Sequence, residues 1–203
     1  ERLEYRGYDS AGLAVYSQDD GLRVVKAKGR LRVLADLVEG GKNIHGTVGL
    51  GHTRWATHGE PSDVNSHPQV SASGRIAVVH NGIIENYVQI KEFLESKGVG
   101  FVSQTDTEVV AQLLEYYYRG NIMEAATKVL HRIEGAYALG IICADCPDQL
   151  IAARKDSPLI LGYGEGFNFL ASDVTAVIKY TREVCYLEAV SYTHLRAHET
   201  VLD

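Results

Sequence analysis

Three cysteines among 203 residues are too few, and odd in number, for a disulfide framework. No apolar run approaches the length of a membrane span, and no stretch at the start reads as a signal peptide. A reducing, cytoplasmic setting is therefore expected, with no membrane as partner. Basic residues are short as well: 20 Lys and Arg against 26 Asp and Glu leave a formal net charge of −6. No local basic cluster compensates, so no nucleic acid is expected as partner. Cys143 and Cys146 have CxxC spacing, but a four-cysteine zinc site needs a second pair, and only Cys185 remains. Pro147 and Asp148 follow directly, between two apolar runs, so a hairpin turn is the expected role of this pair. What is present suits a folded soluble domain. Hydrophobic residues make up 45% and charged residues 23%, on a chain long enough for one real core.

Apolar runs with strand character are frequent. They cover Ala11–Tyr16, Leu22–Ala27, Thr47–Gly51, Arg75–His80, Ala136–Cys143, Gln149–Ala153, Leu159–Tyr163, Phe167–Ala171 and Val184–Leu187. Helical spacing joins Leu31, Leu34, Leu37 and Val38, and again Tyr87, Ile90 and Leu94, with a stop at Lys97-Gly98. Thr105 and Glu108 have the spacing of a capping box ahead of Val109, Val110, Leu113, Leu114 and Tyr117. Asn121 opens a fourth helix through Ala125, Ala126, Val129, Leu130 and Ile133. Strands come first, helices cluster centrally, and strands return. That order is not βαβ alternation; it predicts an α+β fold of stacked antiparallel sheets with helices outside. Residues 191–203 carry no clear core pattern and are expected to be a tail foreign to the fold. His194 and His198 stand four apart there, but no third ligand is near, and no metal is expected.

Gly51-His52-Thr53-Arg54-Trp55-Ala56-Thr57-His58-Gly59 is the most informative stretch. It makes a poor strand and a poor helix, and it reads equally as a polar surface turn or as a loop that binds a small carboxylate. Arg54 offers a planar fork of donors that matches a carboxylate. Thr53 and Thr57 add hydroxyls, and the glycines let backbone approach a ligand closely.

Two further motifs bear on that choice. Val79-His80-Asn81-Gly82 ends an apolar run in Asn-Gly, which is a common hairpin signal. The same geometry at a strand end lets the Asn81 amide and the Gly82 N–H converge on one developing negative oxygen, as an oxyanion hole. In Thr105-Asp106-Thr107-Glu108, capping accounts for Thr105 and Glu108 and leaves Asp106 over. A carboxylate there pairs with an α-amino group. Together with Arg54 on an α-carboxylate, it reads a free amino acid zwitterion.

Arg6-Gly7-Tyr8-Asp9-Ser10-Ala11-Gly12, the Arg54 stretch, Ser66-His67-Pro68, His80-Asn81-Gly82 and Thr105-Asp106-Thr107-Glu108 occur in the order of the class II glutamine amidotransferases, which this chain resembles over residues 1–188. The wording is similar to members that pass ammonia to fructose 6-phosphate to make an amino sugar phosphate. The resemblance implies an N-terminal-nucleophile hydrolase fold, a four-layer αββα sandwich of two antiparallel sheets. It implies that Arg54 holds the α-carboxylate of L-glutamine with help from Thr57 and His58, and that Asp106 holds the α-amino group. It further implies that Asn81 and Gly82 form the oxyanion hole, that Arg6 lies near the catalytic centre and that His67 borders the glutamine site. Trp55 resembles the gate of an ammonia channel. No cofactor is implied. The implied partners are a sugar-isomerase domain of the same parent chain and a second copy in a homodimer.

The chain departs from the family at its start. The implied nucleophile is an N-terminal cysteine followed by Gly-Ile-Val-Gly, whereas this chain reads Glu1-Arg2-Leu3-Glu4-Tyr5. Cys143, Cys146 and Cys185 do not match its position. A domain lacking its first strand and helix, marginally stable and without glutaminase activity by itself, is the resulting expectation. Two alternatives stay open on the sequence: a non-catalytic glutamine-binding module, and a class II amidotransferase with another acceptor.

Overall fold

A computed structural model describes Glu4 and residues 7–56, 59–188 and 191–196. The early strands β1 (Ser10–Ser17), β2 (Gly21–Lys28) and β3 (Val48–Arg54) form a three-stranded sheet ordered β2-β1-β3. The short β4 (Gln69–Val70) and the long β5 (Ile76–Ile84) join β6 (Gly135–Cys143) and β7 (Gln149–Lys155). With β11 (Ser191–Arg196) these make a five-stranded sheet ordered β11-β7-β6-β5-β4. A second three-stranded sheet, ordered β10-β8-β9, is built from β8 (Ile160–Gly164), β9 (Phe167–Ala171) and β10 (Glu183–Tyr186). Every strand pairing is antiparallel.

The layers follow from side-chain alternation. Side chains two apart on a strand share a face, and the two faces of the five-stranded sheet are both apolar. One face presents Ile76 and Val78 from β5 and Leu139 and Ile141 from β6. These pack against α2 (Tyr87–Glu95), α3 (Thr107–Tyr117) and α4 (Ile122–Leu130) through Ile90, Leu94, Val110, Leu113, Leu114 and Val129. The other face presents Ala77 and Ile142 to Ala14 and Leu50 of the first small sheet, and Ala138 and Ala152 to Leu159 and Leu161 near the second. On the far side of the first small sheet, α1 (Leu31–Leu37) sets Leu34 against Ala11 and Ala27. The order is helix, sheet, sheet, helix, which is the expected αββα sandwich. No helix among the described residues is long and apolar enough to cross a membrane.

The predicted strands and helices all occur, with ends shifted by a few residues. Asn121 caps α4 through its side-chain oxygen, which accepts from Met123 N and Glu124 N. Cys143 and Cys146 flank the hairpin between β6 and β7, where Cys146 N donates to Cys143 O at 3.0 Å. Three expectations need correction. The capping box does not form: Glu108 turns away from the helix start, and its carboxylate accepts instead from Val102 N and Ser103 N at 3.0 and 2.6 Å. Gly51-His52-Thr53-Arg54 is strand rather than loop, because β1 supplies a full ladder for it, from Leu13↔Gly51 to Ser10↔Arg54. Asn81-Gly82 lies inside β5 rather than at its end, since pairing with β6 continues to Ile84↔Gly135. Ser191–Arg196 pair along β7 as an edge strand. Backbone pairing needs no apolar pattern, so the sequence carried no sign of it.

β3 and β9 are the outer strands of their small sheets, and both line a cavity of about 860 Å³. His52, His80 and Asn81 stand on its wall.

Candidate active site

Three elements deliver the polar side chains. β3 carries His52 and Arg54, two residues apart and therefore on one side of the strand. β5 carries His80, Asn81 and Gly82. The start of α3 carries Asp106 and Thr107. His67 comes from the segment before β4. Gly12 of β1 admits it closely, because a Cβ on Gly12 would lie 2.1 Å from the His67 carbonyl oxygen.

Arg54 is buried, and its Nη2 donates to the Gly59 carbonyl at 3.2 Å. Burial lowers its pKa, while the negative charges of Asp106 and then Asp9 oppose that shift. An arginine stays charged through such a change. Asp9 Oδ2 also accepts from Ala56 N at 2.9 Å, which ties the chain after β3 back to the start of β1. Asp106 is not the idle carboxylate expected from the sequence: its Oδ2 accepts from Ile84 N at 2.8 Å. That bond locks α3 to β5 just past Gly82. Among the described residues Oδ1 keeps only a long contact from Thr107 Oγ1, at 3.5 Å, so this oxygen retains acceptor capacity toward them.

Gly82 has φ +126°, and a Cβ there would meet the Ala136 carbonyl oxygen at 2.0 Å. Only glycine fits that backbone and that approach. Asn81 and Gly82 are both exposed, and Asn81 lines the cavity.

Three histidines surround this point. The rings of His52 and His67 stack with centroids 4.5 Å apart. His67 Nδ1 accepts from His80 N at 3.4 Å, and His80 Nδ1 lies 2.9 Å from Thr107 Oγ1 and 3.9 Å from Asp106 Oδ2. Burial lowers the pKa of His52, and it lowers that of His67 further, where the neighbouring cationic groups add to it. His80 is lowered to about 4 by burial, against the pull of Asp106. All three rings are neutral at pH 7. No group of three or more His, Cys, Asp or Glu among the described residues has the arrangement of a metal site.

A histidine with a depressed folded pKa binds fewer protons folded than unfolded between the two values. Its contribution to stability is complete above pH 6.5 and is lost as pH falls toward the folded value. For His80, a shift from 6.5 to about 4 corresponds to roughly 3 kcal/mol once that range is crossed. Most carboxylates titrate lower, so the interval from about pH 6.5 to 5 reports the histidines. Urea denaturation is expected to show unfolding free energy falling steadily across that interval. A flat profile there would contradict the buried neutral cluster.

Trp55 is 59% exposed, and its ring meets that of Tyr8 with centroids 5.5 Å apart. The structure thus brings Arg54, Asp106, Asn81, Gly82 and His67 to one region, with Trp55 at its outer margin. Arg6, Thr57 and His58 lie outside the described residues. Sequence reasoning gave no role to His52, His80 or Asp9. The only signal was adjacency, since His80 precedes Asn81-Gly82 and His52 stands two before Arg54.

A model of the glutamine amidotransferase domain family matches residues 35–201. The chain is 63% identical over 187 residues to a glutamine–fructose-6-phosphate aminotransferase (isomerizing) of Caldanaerobacter subterraneus, and 52% identical over 187 residues to the one of Clostridium tetani. Each match covers 92% of this chain and 30% of the relative, so the chain spans under a third of these proteins' length. Among solved structures, a glutamine phosphoribosylpyrophosphate amidotransferase from B. subtilis aligns with TM-score 0.75 and 25% identity, covering 97% of this chain and 44% of that one. A glutamine aminotransferase class-II domain protein from Silicibacter pomeroyi shares the fold at TM-score 0.65 and 15% identity, covering 93% of this chain and 88% of that one.

Proposed function

The chain belongs to the glutamine amidotransferase domain family, and on that premise we propose that it forms the glutaminase part of a glutamine–fructose-6-phosphate aminotransferase. The observation that carries this reading is the buried Arg54 within the electrostatic reach of Asp106, whose carboxylate is anchored on Ile84 N just past Asn81 and Gly82. Arg54 holds the α-carboxylate of L-glutamine, and Asp106 Oδ1 accepts from the α-ammonium. The side-chain carboxamide then reaches Asn81 and Gly82, whose N–H donors take the charge that builds on its oxygen during attack. Thr57 and His58 assist at the carboxylate, Arg6 shapes the catalytic centre, His67 walls the pocket, and Trp55 stands where ammonia leaves. Ammonia passes to fructose 6-phosphate on a sugar-isomerase domain of the parent protein, itself a homodimer in the cytoplasm.

The chain's own thiols do not supply the nucleophile. Cys143 points into the helix-side core, and burial pushes its thiol up to about 11. Cys146 sits in the same hairpin, and Cys185 belongs to β10, away from Asn81. In this reading residues 1–203 supply recognition and oxyanion stabilisation.

Calorimetric titration of the chain with L-glutamine tests the recognition half. One equivalent is expected to bind, and both N-acetylglutamine and glutamine methyl ester, which each lose one charge, are expected to bind far more weakly. Equal binding of all three ligands, or none at all, would sink the zwitterion reading.

A further inference from the structure

Asn81 stands at the cavity wall with a carboxamide that can point either end at a ligand. If its NH₂ faces the reacting carbonyl, it stabilises the oxyanion; if its oxygen does, it repels it. Something must choose between two orientations of nearly the same shape. His52 Nε2 lies 2.9 Å from Asn81 Oδ1. An oxygen can only accept, so this contact requires hydrogen on Nε2. The backbone carbonyl of His80 is a second acceptor toward the same ring, and Nδ1 has no hydrogen-bond partner. The ring is also held in place, stacked on His67 at 4.5 Å. It is neutral, so only one ring nitrogen carries hydrogen, and the contact to Asn81 Oδ1 places that hydrogen on Nε2.

We propose that His52 is the positioning residue for the oxyanion hole: its Nε2–H fixes Asn81 Oδ1 and so aims the Asn81 NH₂ into the site. The inference rests on Asn81 acting as an oxyanion donor. His52 touches neither the amino acid nor the attacking sulfur, and its whole effect runs through Asn81. The other tautomer would accept from the Asn81 NH₂ and turn the carboxamide round. Hydrogen on Nε2 is therefore what the contact to the Asn81 oxygen requires.

The test uses the full-length protein that carries this chain, with glutamate release as readout. His52→Leu is expected to lower kcat for glutamine hydrolysis roughly 10- to 100-fold, because an unheld carboxamide samples the wrong orientation. KM for glutamine is expected to stay within about twofold, since the zwitterion contacts are untouched. His52→Gln, whose Nε2 overlays the imidazole Nε2, is expected to recover most of the loss. His52→Asn, whose nitrogen overlays Nδ1 instead, is expected not to. In an Asn81→Ala background, His52→Leu is expected to add less than about twofold. A rise in KM at unchanged kcat, or losses that multiply with Asn81→Ala, would overturn the assignment. If Asn81→Ala itself leaves turnover intact, the oxyanion reading falls and takes this inference with it. If Asn81→Ala collapses turnover while His52→Leu does not, only this inference falls. A readout independent of activity is the ¹⁵N spectrum of the unsubstituted chain labelled at histidine. It is expected to show His52 neutral with hydrogen on Nε2; hydrogen on Nδ1 would refute the proposal even where a variant failed to fold.

Discussion

Arg54→Ala is expected to weaken glutamine binding by about two orders of magnitude. Truncating one member of a buried charge pair costs about 2 to 5 kcal/mol, much of it the penalty of leaving the partner charge unmatched. About 3 kcal/mol corresponds to roughly 150-fold in Kd. Arg54 is buried at the end of β3, where the negative charges of Asp106 and Asp9 act on its guanidinium. Its removal therefore strands the ligand carboxylate and also leaves two carboxylates without their cation. Arg54→Lys keeps the charge and loses the planar fork, and about a tenfold loss is expected from it. The difficulty is that Arg54 also donates to the Gly59 carbonyl, so a structural collapse could mimic lost recognition. Calorimetry with the decarboxylated analogue of glutamine separates the two. That analogue is expected to bind Arg54→Ala and the unsubstituted chain alike. Equal losses for glutamine and for the analogue would remove Arg54 from the recognition role.

The second large effect concerns Asn81 and Gly82. Loss of one oxyanion donor costs about 100- to 1,000-fold in kcat in enzymes where it has been measured. Asn81→Ala is expected to fall in that range for glutamine hydrolysis by the full-length protein, with an unchanged melting temperature, since Asn81 is exposed and outside the core. Gly82→Ala is expected to lose turnover as severely and to lose stability too. Its Cβ would enter within 2.0 Å of the Ala136 carbonyl oxygen, at a φ of +126° that L side chains rarely adopt. β5 and β6 pair through this point, so the clash is relieved only by parting strands at the centre of the five-stranded sheet. A cost of at least about 2 kcal/mol is expected. Stopped assays for glutamate, beside thermal melts, check both. An Asn81→Ala protein hydrolysing glutamine at near-normal rate would defeat the oxyanion assignment.

How legible this was depended on the kind of information each residue carries. Alternation such as Ile76, Val78 against Ala77, Val79 announces a strand buried on both faces, and it did so here. The 3.6-residue repeat announced all four helices. Glu108 misled because its spacing from Thr105 is shared by a helix cap and by a carboxylate that straps the Val102–Ser103 backbone. Local spacing cannot separate these; only the path of the chain before α3 decides. Gly51 to Arg54 misled for a related reason: polar residues and glycine disfavour a strand until a neighbour such as β1 offers its ladder. Arg54, Asp106 and Asn81 were legible as chemistry, since their residue types narrow what they can hold. The His52–Asn81 contact was not, because it spans 29 positions and two sheets.

Arg54 belongs to the outer edge of a small sheet, whereas Asp106 begins a helix packed on the far side of the large one. A zwitterion held between them is a cross-tie. Beside the His52–Asn81 contact it would be a second polar tie in the site between the two halves of the sandwich, so the free energy of its capture would be shared as cohesion between layers that also meet through small apolar contacts such as Ala14, Leu50 and Ala77. Substrate would then tighten the architecture that grips it, and departure of the product amino acid would loosen it again.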